Sequence, residues 1–219
     1  MKRRLSLTIL AGAMLATTTF LHADADRLKD AAVVLTEMAG AADTGIPQNL
    51  LSKAQCVVII PGVKKAALGV GGQYGRGYIS CRSTSGWSAP GGIRIEGGSV
   101  GFQIGGSDTD VILLVLNERG IDRLLSSKFT VGADAAVAAG PIGRQASAQT
   151  DATMTAEILA WSRARGVFAG ISLQGSTLRE DTSENKELYG SEVSNKEIVK
   201  GHHAVPPGSA DLMTALSKY

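Results

Sequence analysis

The stretch from Leu68 to Gly106 constrains this chain more than any other feature. Gly69, Gly71, Gly72, Gly75 and Gly77 open it; Gly97, Gly98, Gly101, Gly105 and Gly106 close it. Between them lie Tyr78-Ile-Ser-Cys-Arg82, Ile93-Arg-Ile-Glu96 and Val100-Gly-Phe-Gln-Ile104, which alternate with the period of a half-buried strand. Glycine in a strand removes a side chain from one face. Such strands let another layer approach closely or let a sheet curl tightly. The chain's 27 glycines show no three-residue period, which excludes a collagen-like rod.

The flanking segments supply helices and buried strands. Leu28, Ala31, Ala32, Leu35 and Met38 recur at three- and four-residue intervals and predict a helix over 27–38. Pro47 suits the first turn of a short helix running to about Ala54. Cys56-Val-Val-Ile-Ile60 reads as a buried strand stopped by Pro61-Gly62. Asp110 to Leu116 is apolar on both parities, as a central strand is. Asn117 is placed to cap a helix through about Ser126. The pattern over 154–165 fits strand and helix equally, 166–178 alternates as a strand, and 182–189 and 209–218 read as helices, the last capped by Ser209. The expected fold class is α+β: a glycine-rich, mostly antiparallel sheet or partial barrel with flanking helices.

Lys2, Arg3 and Arg4 precede an apolar run from Leu5 to Phe20, and Ala23-Asp-Ala25 follows as a small-residue cleavage pattern. This is the form of a secretory signal peptide over 1–25, leaving 26–219 as a single domain. Export would take the protein to the periplasm or outside the cell, with association at a membrane surface possible in either place. It would also carry Cys56 and Cys81 into an oxidising compartment. There they are candidates for a disulfide, worth about 3 kcal/mol in the chain-entropy picture, or for two buried reduced thiols.

The formal charge is only +2, which argues against a nucleic-acid binder. Charge is nevertheless segregated. From Thr44 to Ser107, Lys53, Lys64, Lys65, Arg76, Arg82 and Arg94 face only Glu96. From Glu180 to Glu197 acidic residues dominate. Strand parity puts Arg76, Tyr78, Ser80 and Arg82 on one side and Ile79 and Cys81 on the other. Arginine forks suit phosphate oxygens, and a tryptophan such as Trp87 suits a membrane interface. Lys64, Lys65, Arg76, Arg82, Arg94 and Trp87 are therefore the candidate contacts for an anionic phospholipid head group. The alternative is a solvated sheet face carrying incidental arginines.

Catalytic patterns are thin. Gly97-Gly-Ser-Val-Gly101 matches G-x-S-x-G, but a hydrolase places that serine on a strand-to-helix turn, and the residues after Ser99 alternate as a strand. His202-His203 lacks a third ligand of the usual kinds nearby. Asp108-Thr-Asp110 lacks the remaining oxygens and the glycine of a calcium loop. No glycine run carries a phosphate-loop lysine. No metal, cofactor or enzymatic activity is expected.

Ordered along the chain are Ile46-Pro47 with Leu50-Leu51, Ile60-Pro61 with Val63-Lys64, the glycines from Gly69 to Gly77, Gly86-Trp-Ser-Ala-Pro90, and Gly101-Phe-Gln-Ile-Gly105. Ala139-Gly-Pro-Ile-Gly-Arg144, Gly166-Val-Phe-Ala-Gly-Ile-Ser-Leu173 and Leu188-Tyr-Gly190 follow. In this combination the chain resembles the SYLF-domain proteins over roughly 26–190, with a helical tail over 191–219. The resemblance implies a non-enzymatic lipid-binding domain. It further implies phosphoinositide binding and, for some members, actin binding among eukaryotic relatives, and an exported envelope protein among bacterial ones. A structural or protein-interaction module of the envelope is the alternative, and a serine hydrolase using Ser99 is a further one.

Overall fold

The computed structural model describes residues 26–41, 45–131, 137–140, 156–164, 167–168, 173 and 175–219. The expected leader over 1–25, the motif from Pro141 to Arg144 and much of the strand expected over 166–178 lie outside the described residues.

The dominant element is one long ribbon. Strand β1 (Cys56–Ser83) and strand β3 (Gly91–Val115) pair antiparallel from Cys56↔Val115 to Ile79↔Gly91, and the two-residue β2 (Gly86–Trp87) lies on the outer edge of β1. The sequence pattern broke this ribbon into several short strands, because Pro61-Gly62 and the glycines read as stops. The structure absorbs them instead. Pro61 and Gly62 sit in a register shift between Ile60 and Val63, with Gly62 at φ +55°. A second shift lies between Leu68 and Val70.

A straight 28-residue strand would span about 90 Å. Here the ribbon folds back on itself, so that its start and end lie together. A disulfide joins Cys56 to Cys81 within the same strand. The return is possible because Gly77 has no side chain: a Cβ there would stand 2.0 Å from the Ile59 carbonyl oxygen and 2.7 Å from the Ile60 Cα. Gly77, and Gly75 with a Cβ position 2.9 Å from the Val63 side chain, therefore serve the close return of the ribbon, one of the two uses expected of such glycines.

The free edge of β3 is used twice, once on each side of the bend. Residues 109–115 pair with β6 (Ile158–Ala164), and residues 93–96 pair with β8 (Thr177–Glu180). β4 (Phe129–Thr130) extends β8, β7 (Val167–Phe168) pairs with β6, and β5 (Val137–Ala139) joins β6 in the one parallel pairing of the described sheet. The ambiguous 154–165 segment is thus a strand. The result is a curled eight-stranded half-barrel.

The period-2 rule divides the buried residues into two cores. Val57 and Ile59 on β1, with Ile112 and Leu114 on β3, face one side. Cys56, Val58 and Ile60, with Val111, Leu113 and Val115, face the other. Helix α1 (residues 26–40) lays its expected apolar stripe, Leu28, Ala31, Leu35 and Met38, on the first core. The short helix α2 (Gln48–Leu51) supplies Leu51 to the same side and ends earlier than expected. Helix α3 (Glu118–Leu124) begins as expected, with the Asn117 side chain accepting from the Gly120 amide at 2.9 Å. Helices α4 (Thr182–Tyr189), α5 (Asn195–Lys200) and α6 (Ala210–Leu216) complete the shell. The Asp181 and Ser194 side chains cap α4 and α5, whereas Ser209, expected to cap α6, makes no side-chain cap hydrogen bond. The sequence reading gave α5 no separate helix; its signal was Ser194 followed three residues later by Glu197, a reciprocal capping box.

Candidate functional site

The cations expected on one basic face separate into two groups. The three arginines each have a partner within the chain, Arg82 while remaining exposed. Arg76 Nε donates to Asp181 Oδ2 at 2.6 Å, and its Nη2 lies 3.1 Å from Glu184 Oε2. Arg94 Nε lies 2.8 Å from Glu96 Oε1. Arg82 donates to main-chain oxygens of Ala54 (3.1 Å), Ser52 (3.2 Å) and Tyr219 (2.6 Å), which ties the end of α2 to the C-terminal residue. Its guanidinium also stands 4.4 Å above the Trp87 ring. Trp87, read from sequence as a membrane-interface residue, is half-buried against the helical core.

Arg76 belongs to a polar clamp that fastens α4 to the ribbon. Asp181 and Glu184 are each 1% exposed. Glu184 accepts from Arg27 Nη1 of α1 at 2.5 Å and from the Tyr78 hydroxyl. Asn185 Oδ1 accepts the Gly92 amide at 2.6 Å, and Asn195 Nδ2 donates to the Gly92 carbonyl at 2.8 Å. A Cβ on Gly92 would come within 2.6 Å of the Glu184 Cβ. Burial opposes ionisation of Asp181, but the hydrogen bonds from Arg76 and Ser183 and the charge of Arg76 outweigh it. The carboxyl is held below its usual range. The same hydrogen bond from Arg76 raises the guanidinium. Burial, then the Glu184 charge, pushes the Tyr78 hydroxyl up. The groups of the clamp are bonded to one another and fasten α4 and α1 to the ribbon.

The two lysines stand elsewhere, at the bend of the ribbon. Cross-strand register sets Lys64 opposite Asp108 and Lys65 opposite Ser107. Lys64 Nζ and Asp108 Oδ2 form an ion pair whose side chains are 76% and 54% exposed. Lys65 has no acidic partner among the described residues. Both lysines line an open groove of about 510 Å³ with Gln73, Tyr74, Ser107 and Asp108. Tyr74 is one of three exposed large hydrophobic side chains among the described residues, at 49%. The groove offers a cation, a second cation under light restraint, and an exposed aromatic ring. A somewhat larger cavity of about 560 Å³ lies between Cys81, Ile121 and Val199, but Arg82 there is committed and Lys200 is paired with Asp122 at 3.2 Å.

The remaining motifs do not assemble into a reaction centre. Ser99 lies mid-strand opposite Gly71, away from any strand-to-helix turn. His202 and His203 are exposed beyond α5, and the His203 ring meets the Tyr189 ring edge-on at 5.7 Å. Asp110 accepts the Gly62 amide at 3.0 Å and pairs with Arg163 at 2.8 Å, so it supports the bulge, while Asp108 pairs with Lys64. Among the described residues no group of three or more His, Cys, Asp and Glu is arranged to hold a metal ion, and no helix is long and apolar enough to cross a membrane.

A disulfide-pinned, curled β ribbon closed by a polar clamp and a shell of short helices defines an α+β half-barrel domain. Residues 96–219, more than half of the chain, match the family described as Ysc84: Las17-binding protein actin regulator. The chain belongs to this Ysc84/SYLF family. It is 34% identical over 179 residues to Protein YSC84 of Saccharomyces cerevisiae, covering 80% of this chain and 38% of that protein. It is 34% identical over 180 residues to LAS seventeen-binding protein 3 of the same yeast, covering 80% and 39%. With the human SH3 domain-containing YSC84-like protein 1 it shares 30% identity over 179 residues, covering 81% and 52%. The chain thus spans about two fifths to one half of these relatives.

Proposed function

We propose that this protein is a non-enzymatic, exported domain of the cell envelope that binds anionic phospholipid surfaces through the bend of its β ribbon. The observation that supports this reading is the placement of Lys65, Lys64 and the exposed Tyr74 around one open groove. Lysine is a strongly hydrated point charge suited to loose contact with phosphate at a surface, and an exposed tyrosine suits the head-group layer. Arg76 and Arg82, which parity put on one face, fasten α4 and the end of α2 to the ribbon, and Arg94 is paired with Glu96 on its own strand; none of the three is assigned to the head group. Export is supported by the Lys2-Arg-Arg4 start, the apolar run and the small-residue pattern at Ala23–Ala25.

The test is co-sedimentation with vesicles of phosphatidylcholine alone or containing phosphatidylglycerol. Charge reversal of both Lys64 and Lys65 to Glu is expected to remove most of the phosphatidylglycerol-dependent pelleting at low salt, with little change on phosphatidylcholine. Equal pelleting of wild type and variant on anionic vesicles overturns the reading. A protein-interaction module is the second reading, favoured by relatives whose names record binding to Las17; it predicts a pulled-down protein partner and no lipid selectivity.

A further inference from the structure

The groove contains its own competitor for an anionic ligand. The bulge at Pro61-Gly62 sets the register of everything beyond it, and that register puts Lys64, not Lys65, across from Asp108. The bulge is itself fixed: Gly62 has φ +55°, and its amide donates to Asp110 Oδ1 at 3.0 Å. Asp110 is in turn held by Arg163, which also reaches Glu37 of α1 at 2.7 Å. Asp108 cannot shift along the strand to serve both lysines without breaking this set of contacts. One cation of the groove is therefore uncompensated and one carries a counter-ion.

We infer that Asp108 is a built-in counter-ion that competes with anionic lipid for Lys64 and so makes docking depend steeply on anionic lipid density. This rests on the reading of the groove as a head-group site. A sparse surface engages Lys65 alone. A dense one supplies a second phosphate close enough to draw Lys64 away from Asp108. Both partners are largely exposed, and an exposed pair is weak, so the exchange is easily reversed. The charged groups lining the two clefts that meet at Lys64 are Asp108, Asp110 and Lys65 from the ribbon, Arg163 from β6, and Asp26, Arg27 and Asp30 from α1. Of the carboxylates among them, Asp108 is the one in contact with the ammonium group.

The experiment measures partition of the full chain onto vesicles across a series of phosphatidylglycerol fractions in phosphatidylcholine. Any contribution of residues 1–25 is common to all variants and drops out of the comparison. Asp108→Asn is expected to raise partition at low phosphatidylglycerol fractions by about two- to five-fold, the range set by an exposed pair. It is also expected to flatten the dependence on anionic fraction and leave pure phosphatidylcholine unchanged. Asp108→Glu keeps the charge and is expected to behave as wild type. If Asp108→Asn binds no better than wild type while the Lys64/Lys65 reversal still abolishes selectivity, the counter-ion role is overturned and the head-group site stands. If the lysine reversal has no effect, both fall together.

Discussion

Removing the Arg76 side chain tests the polar clamp most directly. Arg76→Met keeps the length of the aliphatic stem and deletes the guanidinium. Asp181 and Glu184, each 1% exposed, then lose a cation at 2.6 Å and 3.1 Å, and neither can turn to water without moving α4. Breaking a buried pair from one side costs roughly 3–5 kcal/mol. The guanidinium is 23% exposed, and Arg27 still holds Glu184. The expected loss is therefore at the low end, about 3 kcal/mol. Urea unfolding at pH 7 measures it. Asp181→Asn in the Arg76→Met background should recover part of the loss, because the amide needs no counter-ion. Acidity provides a second readout. The Asp181 carboxyl lies below its usual range in the fold, so its contribution is complete above the unfolded value of about 3.9. That contribution fades as pH falls from there through the lower folded value. In Arg76→Met the buried carboxylate has lost its cation, so acidification below about pH 5 should relieve the variant and narrow its gap to wild type. A loss under about 1 kcal/mol at pH 7, or a gap that widens on acidification, would refute the claim that these carboxylates depend on Arg76.

Two further predictions concern the curl. Gly77→Ala places a methyl group 2.0 Å from the Ile59 carbonyl oxygen, a backbone atom that cannot rotate away. A cost of about 3 kcal/mol and a drop in Tm of roughly 10 °C are expected by calorimetry. Cys56 and Cys81 are 25 residues apart in sequence. Replacing both with Ser, or reducing them, is expected to cost about 3–4 kcal/mol in denaturant unfolding. A reduced protein as stable as the oxidised one would mean that the ribbon's return is held by packing alone.

Much of the fold was legible in local pattern. Cys56–Ile60 and Asp110–Leu116 are apolar on both parities, and the structure puts a core on each side of them. The stripe from Leu28 to Met38 buries as its spacing demands. The length of the strands was not legible. Pro61-Gly62 looks like a stop from its neighbours alone, and becomes a bulge only because β3 and Asp110 support the far side. The candidate site was half legible. Lys64 and Lys65 both line the groove although strand parity alone would send neighbouring side chains to opposite faces, and the fates of Arg76 and Arg82 depended on groups far away in sequence.

Sequence alone determined the alternation, the glycines that permit a ribbon to fold back, the apolar faces and the segregation of positive from negative segments, because each is a property of near neighbours. Tertiary structure alone decided what that segregation is for. Asp181 lies 105 residues from Arg76, and only the curl of the ribbon brings α4 across the strand so that Asp181 and Glu184 meet Arg76. Charge is additive along a chain, but its availability to a ligand is set by which carboxylates the fold brings within a few ångströms.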